Sequence, residues 1–162
     1  PPRPLSDTTL RSHKDKNTDY DFAVVWTQPE GVIESFKKAL SGEETSIDEI
    51  LKEVDDYSRR LINFKDRVRF IFVPTWVSPS YYKNFGIMDM KDDLGIENII
   101  MQMNLRLSKN ITDSANIYLL NSRKWFECSG RNAFSPKMWY MAKIPFGNDV
   151  FKEAKDEIEA LK

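Results

Sequence analysis

The sequence predicts an α/β protein: a short parallel sheet with helices on both faces, in a three-layer α/β/α sandwich built from right-handed crossovers. Two observations carry this expectation. Three short apolar runs, residues 21–26, 68–73 and 116–120, are continuous rather than alternating, as in strands buried on both faces. Longer segments with apolar residues at helical spacing separate and follow them. With 162 residues, 41% of them hydrophobic and 12% aromatic, the chain has the length of one domain and the means to bury a sizeable core.

Each element has a local reason. Residues 1–20 hold three prolines and a polar run from Ser12 to Thr18, with Leu5 and Leu10 as isolated apolar residues, and read as an irregular arm before a domain spanning 21–162. The first strand closes at Thr27-Gln28-Pro29. A helix is expected at once, with Pro29 in its first turn, Glu30 at its positive end, and Val32, Ile33, Phe36 and Leu40 on one face as far as Ser41-Gly42. Ser46 and Glu49 form a capping box for the next helix, whose stripe is Ile47, Ile50, Leu51, Val54, Leu61 and Ile62. The second strand stops at Pro74, followed by the exit loop 75–79. Ile96, Ile99, Ile100, Met103 and Leu107 mark a third helix ending near residues 108–110, and 121–125 is read as the loop after the third strand. An apolar aromatic stretch, 138–144, breaks at Pro145-Phe146-Gly147. Asn148 is expected to cap a last helix with Phe151, Ala154, Ile158 and Leu161 facing inward.

Composition excludes several function classes. The 24 Lys and Arg nearly cancel 25 Asp and Glu, so no global field favours nucleic acid or an anionic membrane. No run approaches a spanning helix, and the first residues carry no apolar signal-peptide core, which makes a cytoplasmic protein the default expectation. With one cysteine, Cys128, and one histidine, His13, neither an internal disulfide nor a Cys/His metal cluster can form. The Asp89, Asp92, Asp93 run lacks calcium-loop spacing and reads as solvated, and phosphate-binding glycine loops are absent, so neither metal nor cofactor is expected.

In an open parallel sheet, ligands bind beyond the carboxyl ends of the strands. That rule selects three segments, 26–30, 74–78 and 121–125, each with a tryptophan and at least one hydroxyl. The expected substrate-binding residues are therefore Trp26, Thr27, Gln28, Thr75, Trp76 and Asn121, lining an aromatic-walled pocket. The bland alternative is that the tryptophans only seal the top of the core. Nucleophilic chemistry needs a hydroxyl or thiol beside a base. His13 sits in the polar arm, and Cys128, beside Glu127, reads as a packed small residue without a basic partner. Ser78 and Ser122 remain as weak catalytic candidates.

Three segments, residues 21–30, 116–121 and 139–146, together resemble the SGNH-hydrolase-like N-terminal domain of FkbH-like proteins. The most specific of them is Trp139-Tyr140-Met141-Ala142-Lys143-Ile144-Pro145-Phe146, which is similar to that family's aromatic-Lys-x-Pro-Phe signature. The resemblance covers roughly residues 20–160. It implies an SGNH/flavodoxin-like fold and adds Trp139, Lys143, Pro145 and Phe146 to the candidate contacts. Lys143 would pair with a phosphate or carboxylate, or would pack its stem on the apolar stretch with its head in water. It also implies partners, a HAD-type phosphatase-like domain or an acyl carrier protein, in glyceryl loading or surface-polysaccharide assembly.

The departures are informative. The chain begins beyond the point where an SGNH enzyme carries its serine after the first strand, so that strand is expected to be missing. Where the family pattern has Asp-x-x-His, this chain has Asn121-Ser122-Arg123-Lys124. The expected function is therefore a non-catalytic, substrate-positioning domain. The alternatives are an esterase or acyltransferase in which a lysine or carboxylate activates Ser78 or Ser122, and a protein-interaction module. A missing first strand would leave a sheet edge that invites a homodimer.

Overall fold

The computed structural model describes residues 20–78, 82, 86–142, 144 and 146–161; the arm expected over 1–20 lies almost wholly outside the described residues. The architecture is mixed α/β, with seven α-helices and a three-stranded parallel sheet among those residues. In chain order the elements are β1 (Tyr20–Val24), α1 (Pro29–Val32), α2 (Glu34–Leu40), α3 (Ile47–Phe64), β2 (Val68–Pro74), α4 (Ile96–Ile111), β3 (Ile117–Leu120), α5 (Ser122–Ser129), α6 (Pro136–Ala142) and α7 (Asn148–Ala160). Strand order is β1-β2-β3, with Tyr20 paired to Val68, Phe22 to Phe70, Ile71 to Ile117 and Val73 to Leu119.

The alternation of side chains along β2 sorts the interior into two clusters. Ile71 and Val73 join the larger one, with Ile33 and Phe36 of the α1–α2 region, Ile50, Val54 and Leu61 of α3, and Ile99, Ile100, Met103 and Leu107 of α4. Phe72 points the other way and meets Leu120, Trp125 of α5, Phe146, and Val150 and Ala154 of α7. The second cluster is the smaller and covers the sheet incompletely. Phe22 and Tyr118, whose rings both contact Phe72, stay 36% and 42% exposed.

The capping box forms as the sequence predicts: Glu49 N–H donates to Ser46 Oγ at 3.2 Å and Ser46 N–H to Glu49 Oε2 at 3.4 Å, an arrangement that contributes about 1 kcal/mol to starting α3. Tyr57 and Ser58 join Ile50, Val54 and Leu61 on its buried face. One clamp joins α3 to α4. Asp55 receives Arg106 through two 2.7 Å bonds and Asn110 through a third, and Asn110 also donates to Ser58 Oγ at 3.1 Å. The Arg106 hydrogen bonds, with Asn110 and the guanidinium charge behind them, hold the Asp55 carboxyl down at about 2.

Four local expectations need correction. The helix expected over 29–40 is two: Ile33 is extended (φ −120°, ψ 98°), which lets its side chain enter the core fully buried, and Glu53 of α3 caps the restart by accepting from Ser35 N–H and, at 2.6 Å, from Ser35 Oγ. Residues 122–125, read as loop, begin α5, because burial of Trp125 against α7 outweighs a weak helical signal. Asn148 is the first residue of α7 rather than its cap, since Gly147 holds the cap position. Gly147 fits there because its N–H reaches Ala133 O at 2.9 Å and a Cβ would fall 2.0 Å from Asn132 O. On α7, Val150 and Ala154 are buried whereas Phe151 and Leu161 are exposed.

Candidate functional site

Three loops meet beyond the carboxyl ends of the strands, and most of the sequence-predicted residues there hold those loops together. Thr27, just after β1, accepts Trp76 Nε1–H at 3.1 Å and shares a 3.2 Å hydrogen bond with the Tyr57 hydroxyl. Trp76, just after β2, is buried against the Tyr57 ring, with centroids 5.2 Å apart. Its backbone is gripped at both ends by Asn104 of α4, which accepts from Trp76 N–H at 2.9 Å and donates to Trp76 O at 2.8 Å. Burial pushes the Tyr57 phenol up, partly offset by its bond to Thr27. Trp76 is thus a sealed, fully engaged core residue.

A second knot joins β2 to α5. The Ser122 hydroxyl donates to Thr75 O at 2.7 Å and lies 2.9 Å from Thr75 Oγ1, which accepts Ser122 N–H at 3.1 Å. Asn121, at the cap position of α5, is exposed and makes no capping bond with its side chain, so Thr75 supplies the acceptor for that helix start. Ser122 is 1% exposed, and among the described residues its hydroxyl hydrogen-bonds to Thr75 alone. No base faces it among the described residues, which include no histidine.

Trp26 is placed differently. It points to the smaller cluster, stacking on Phe146 at 5.0 Å and meeting Trp125 at 5.4 Å and Phe151 at 5.2 Å. Trp26, Thr27, Gln28, Ile144, Phe146 and Phe151 line an open cleft of about 190 Å³. Behind Phe146, Phe126 makes an edge contact at 5.1 Å and stacks on Phe134 at 5.2 Å. That pair faces a second cleft, of about 320 Å³, which Ser78 also lines. Two clefts therefore sit back to back, sharing an aromatic partition.

Of the predicted contacts, Trp26, Thr27 and Gln28 come together at one cleft, whereas Thr75 and Trp76 are tied into the scaffold. Trp139 lies in α6, with its side chain outside the described residues, as are Lys143 and Pro145. Cys128, expected to be packed, is exposed, because α5 turns Trp125 inward and leaves Cys128 on its outer side. Sequence reasoning passed over Tyr57 and Asn104, although Tyr57 falls at helical spacing between Val54 and Leu61. It also passed over Phe126 and Phe134, which lack any strand-end position, and read Phe151 only as an inward-facing residue of the last helix. No helix among the described residues is long and apolar enough to cross a membrane, and they contain no group of three or more His, Cys, Asp or Glu placed to hold a metal ion. No protein-family model, curated protein or solved structure matches the chain.

Proposed function

We propose that the chain is an SGNH-hydrolase-like domain of the FkbH-like kind, with a three-layer, flavodoxin-like sandwich lacking the first strand, and that it positions a substrate without cleaving it. The substrate is an acyl or glyceryl unit carried on an acyl carrier protein, and the covalent chemistry belongs to a HAD-type phosphatase-like partner. The observation that supports this best is the contrast between the strand-end groups. Trp26, Thr27 and Gln28 line an open aromatic cleft, while the Ser122 hydroxyl is buried and engaged by Thr75. Such a cleft suits a carried group with an apolar stem and a polar end.

The test is paired. The protein is treated with a fluorophosphonate, beside a known serine hydrolase, and its intact mass is read; it is also titrated with holo-acyl carrier protein while tryptophan fluorescence is followed. No adduct, together with saturable carrier binding weakened about tenfold by Trp26→Leu, supports positioning. A stoichiometric adduct on Ser122 overturns it.

A second reading, an esterase or acyltransferase with a non-standard site, has one observation in its favour: the Ser78 Oγ is shielded from solvent and, among the described residues, has no hydrogen-bond partner. An adduct on Ser78, lost with Ser78→Ala together with turnover of a generic acyl ester, would establish it. We also propose that β1, which pairs only with β2 among the described strands, offers its outer edge to a second copy; a sedimentation profile independent of concentration would count against the dimer.

A further inference from the structure

The second cleft, on the far side of the Phe126–Phe146 contact, breaks several rules of local stability at once. Arg123 and Glu127 stand four residues apart on α5, yet they do not pair. Each also opposes the helix dipole. Arg123 lies in the first turn, where the backbone N–H groups already concentrate positive charge, and Glu127 lies in the last turn, where the carbonyls concentrate negative charge. Even if they paired, cation before carboxylate is the less favourable order along a helix. Glu97, in the first turn of α4 where the helix dipole favours a carboxylate, lines the same cleft and has no hydrogen-bond or ion-pair partner among the described residues. Ser78 also lines it, with an Oγ that is shielded from solvent and has no hydrogen-bond partner among the described residues. Two charges set against the dipole of their own helix, on the wall of one concavity, are the kind of local inconsistency that folds tolerate at sites of use.

We infer that this cleft binds a small zwitterion with an apolar side chain, of the free amino acid class. The guanidinium of Arg123 presents a planar fork that suits a carboxylate. Glu97 and Glu127 supply acceptors and negative charge for an ammonium group, so the cleft matches a ligand carrying both signs and disfavours a simple anion. The stacked Phe126 and Phe134 rings form the apolar wall against which a side chain packs. At about 320 Å³ the cleft falls at the lower end of the roughly 300–1,000 Å³ range of ligand sites, which suits a small ligand. The inference is independent of the carrier-protein reading, since it uses neither Trp26 nor the first cleft.

The test is a titration of the whole chain with L-leucine and L-phenylalanine, followed by amide chemical shifts. Leucinamide, which lacks the carboxylate, and N-acetyl-leucine, which lacks the ammonium, serve as controls. Expected are saturable shifts at residues 77–78, 97 and 123–127, with a dissociation constant of about 1 mM or below, weakened about tenfold or more for each blocked analogue and for Arg123→Gln or Glu97→Gln. Arg123→Gln should also leave the melting temperature unchanged or raise it, because it removes a charge that opposes the helix dipole. The inference is overturned if neither amino acid gives saturable shifts, if N-acetyl-leucine binds as well as leucine, or if Arg123→Gln binds normally or melts lower. Glu97→Gln, an isosteric change on a different helix, keeps the test independent of any local fault in α5.

Discussion

Replacing Ser122 by alanine separates a scaffold hydroxyl from a nucleophile. The change deletes one oxygen from a site that is 1% exposed and removes the 2.7 Å bond to Thr75 O and the 2.9 Å contact with Thr75 Oγ1. The void is negligible, so the cost comes from leaving a part-buried carbonyl without its donor, about 1–2 kcal/mol. For a domain of this length that corresponds to roughly 2–8 °C in melting temperature. Thr75→Val should cost a similar amount by a different route, because Ser122 N–H then loses the acceptor that caps α5. The two changes share a partner, so the double variant should be less destabilised than the sum of the singles, by about 1 kcal/mol. Urea unfolding of the four proteins, monitored by tryptophan fluorescence, gives the cycle. If Ser122→Ala unfolds within about 0.5 kcal/mol of the parent, or if the two effects add, the hydroxyl is not part of a structural knot and the reasoning fails.

Three further outcomes are expected. Gly147→Ala should lower stability by about 3 kcal/mol or more, since its Cβ would fall 2.0 Å from a backbone oxygen that cannot move aside like a side chain; a melting temperature within a few degrees of the parent would contradict this. Asp55 is held at about 2 in the folded protein against an ordinary 3.8, so its contribution should be complete above that ordinary value and vanish as pH falls through about 2. Because the Arg106 and Asp55 side chains are 41% and 32% exposed, Asp55→Asn should cost only about 1 kcal/mol at neutral pH, with the two stability curves converging in strong acid. Tyr57→Phe should cost about 0.5–1.5 kcal/mol and leave carrier binding unchanged, as measured by chemical denaturation and titration, because Thr27 keeps the Trp76 donor.

What the sequence disclosed follows from where the physics is local. The three strands were legible because a continuous apolar run has few alternatives, and α3 was legible because the Ser46–Glu49 box and its stripe agree. The break at Ile33 was hidden, since it depends on Glu53, 18 residues ahead in the chain and on another helix. Helix α5 was hidden for the same reason: its start is capped by Thr75 and its buried face exists only when α7 docks. At the site, the strand-end rule found the right place but not the roles. It singled out Trp26 and Trp76 alike, yet one lines a cleft beside the smaller cluster and the other is sealed in the larger one; only the parity of each loop relative to the sheet separates them.

The sheet has a kinetic consequence. Every strand pairing joins segments separated by a complete helical crossover, as with Tyr20 and Val68 or Ile71 and Ile117, and the described strands form no hairpin. No part of the sheet can assemble from neighbouring residues, so each rung waits for a long loop to close. The packed pair of α3 and α4, joined by its polar clamp, is the natural nucleus, and β2, which lies between them in the chain, docks against the face they share. On that account Arg106→Ala should slow refolding, whereas changes at Phe146 should mainly speed unfolding, because α7 joins last.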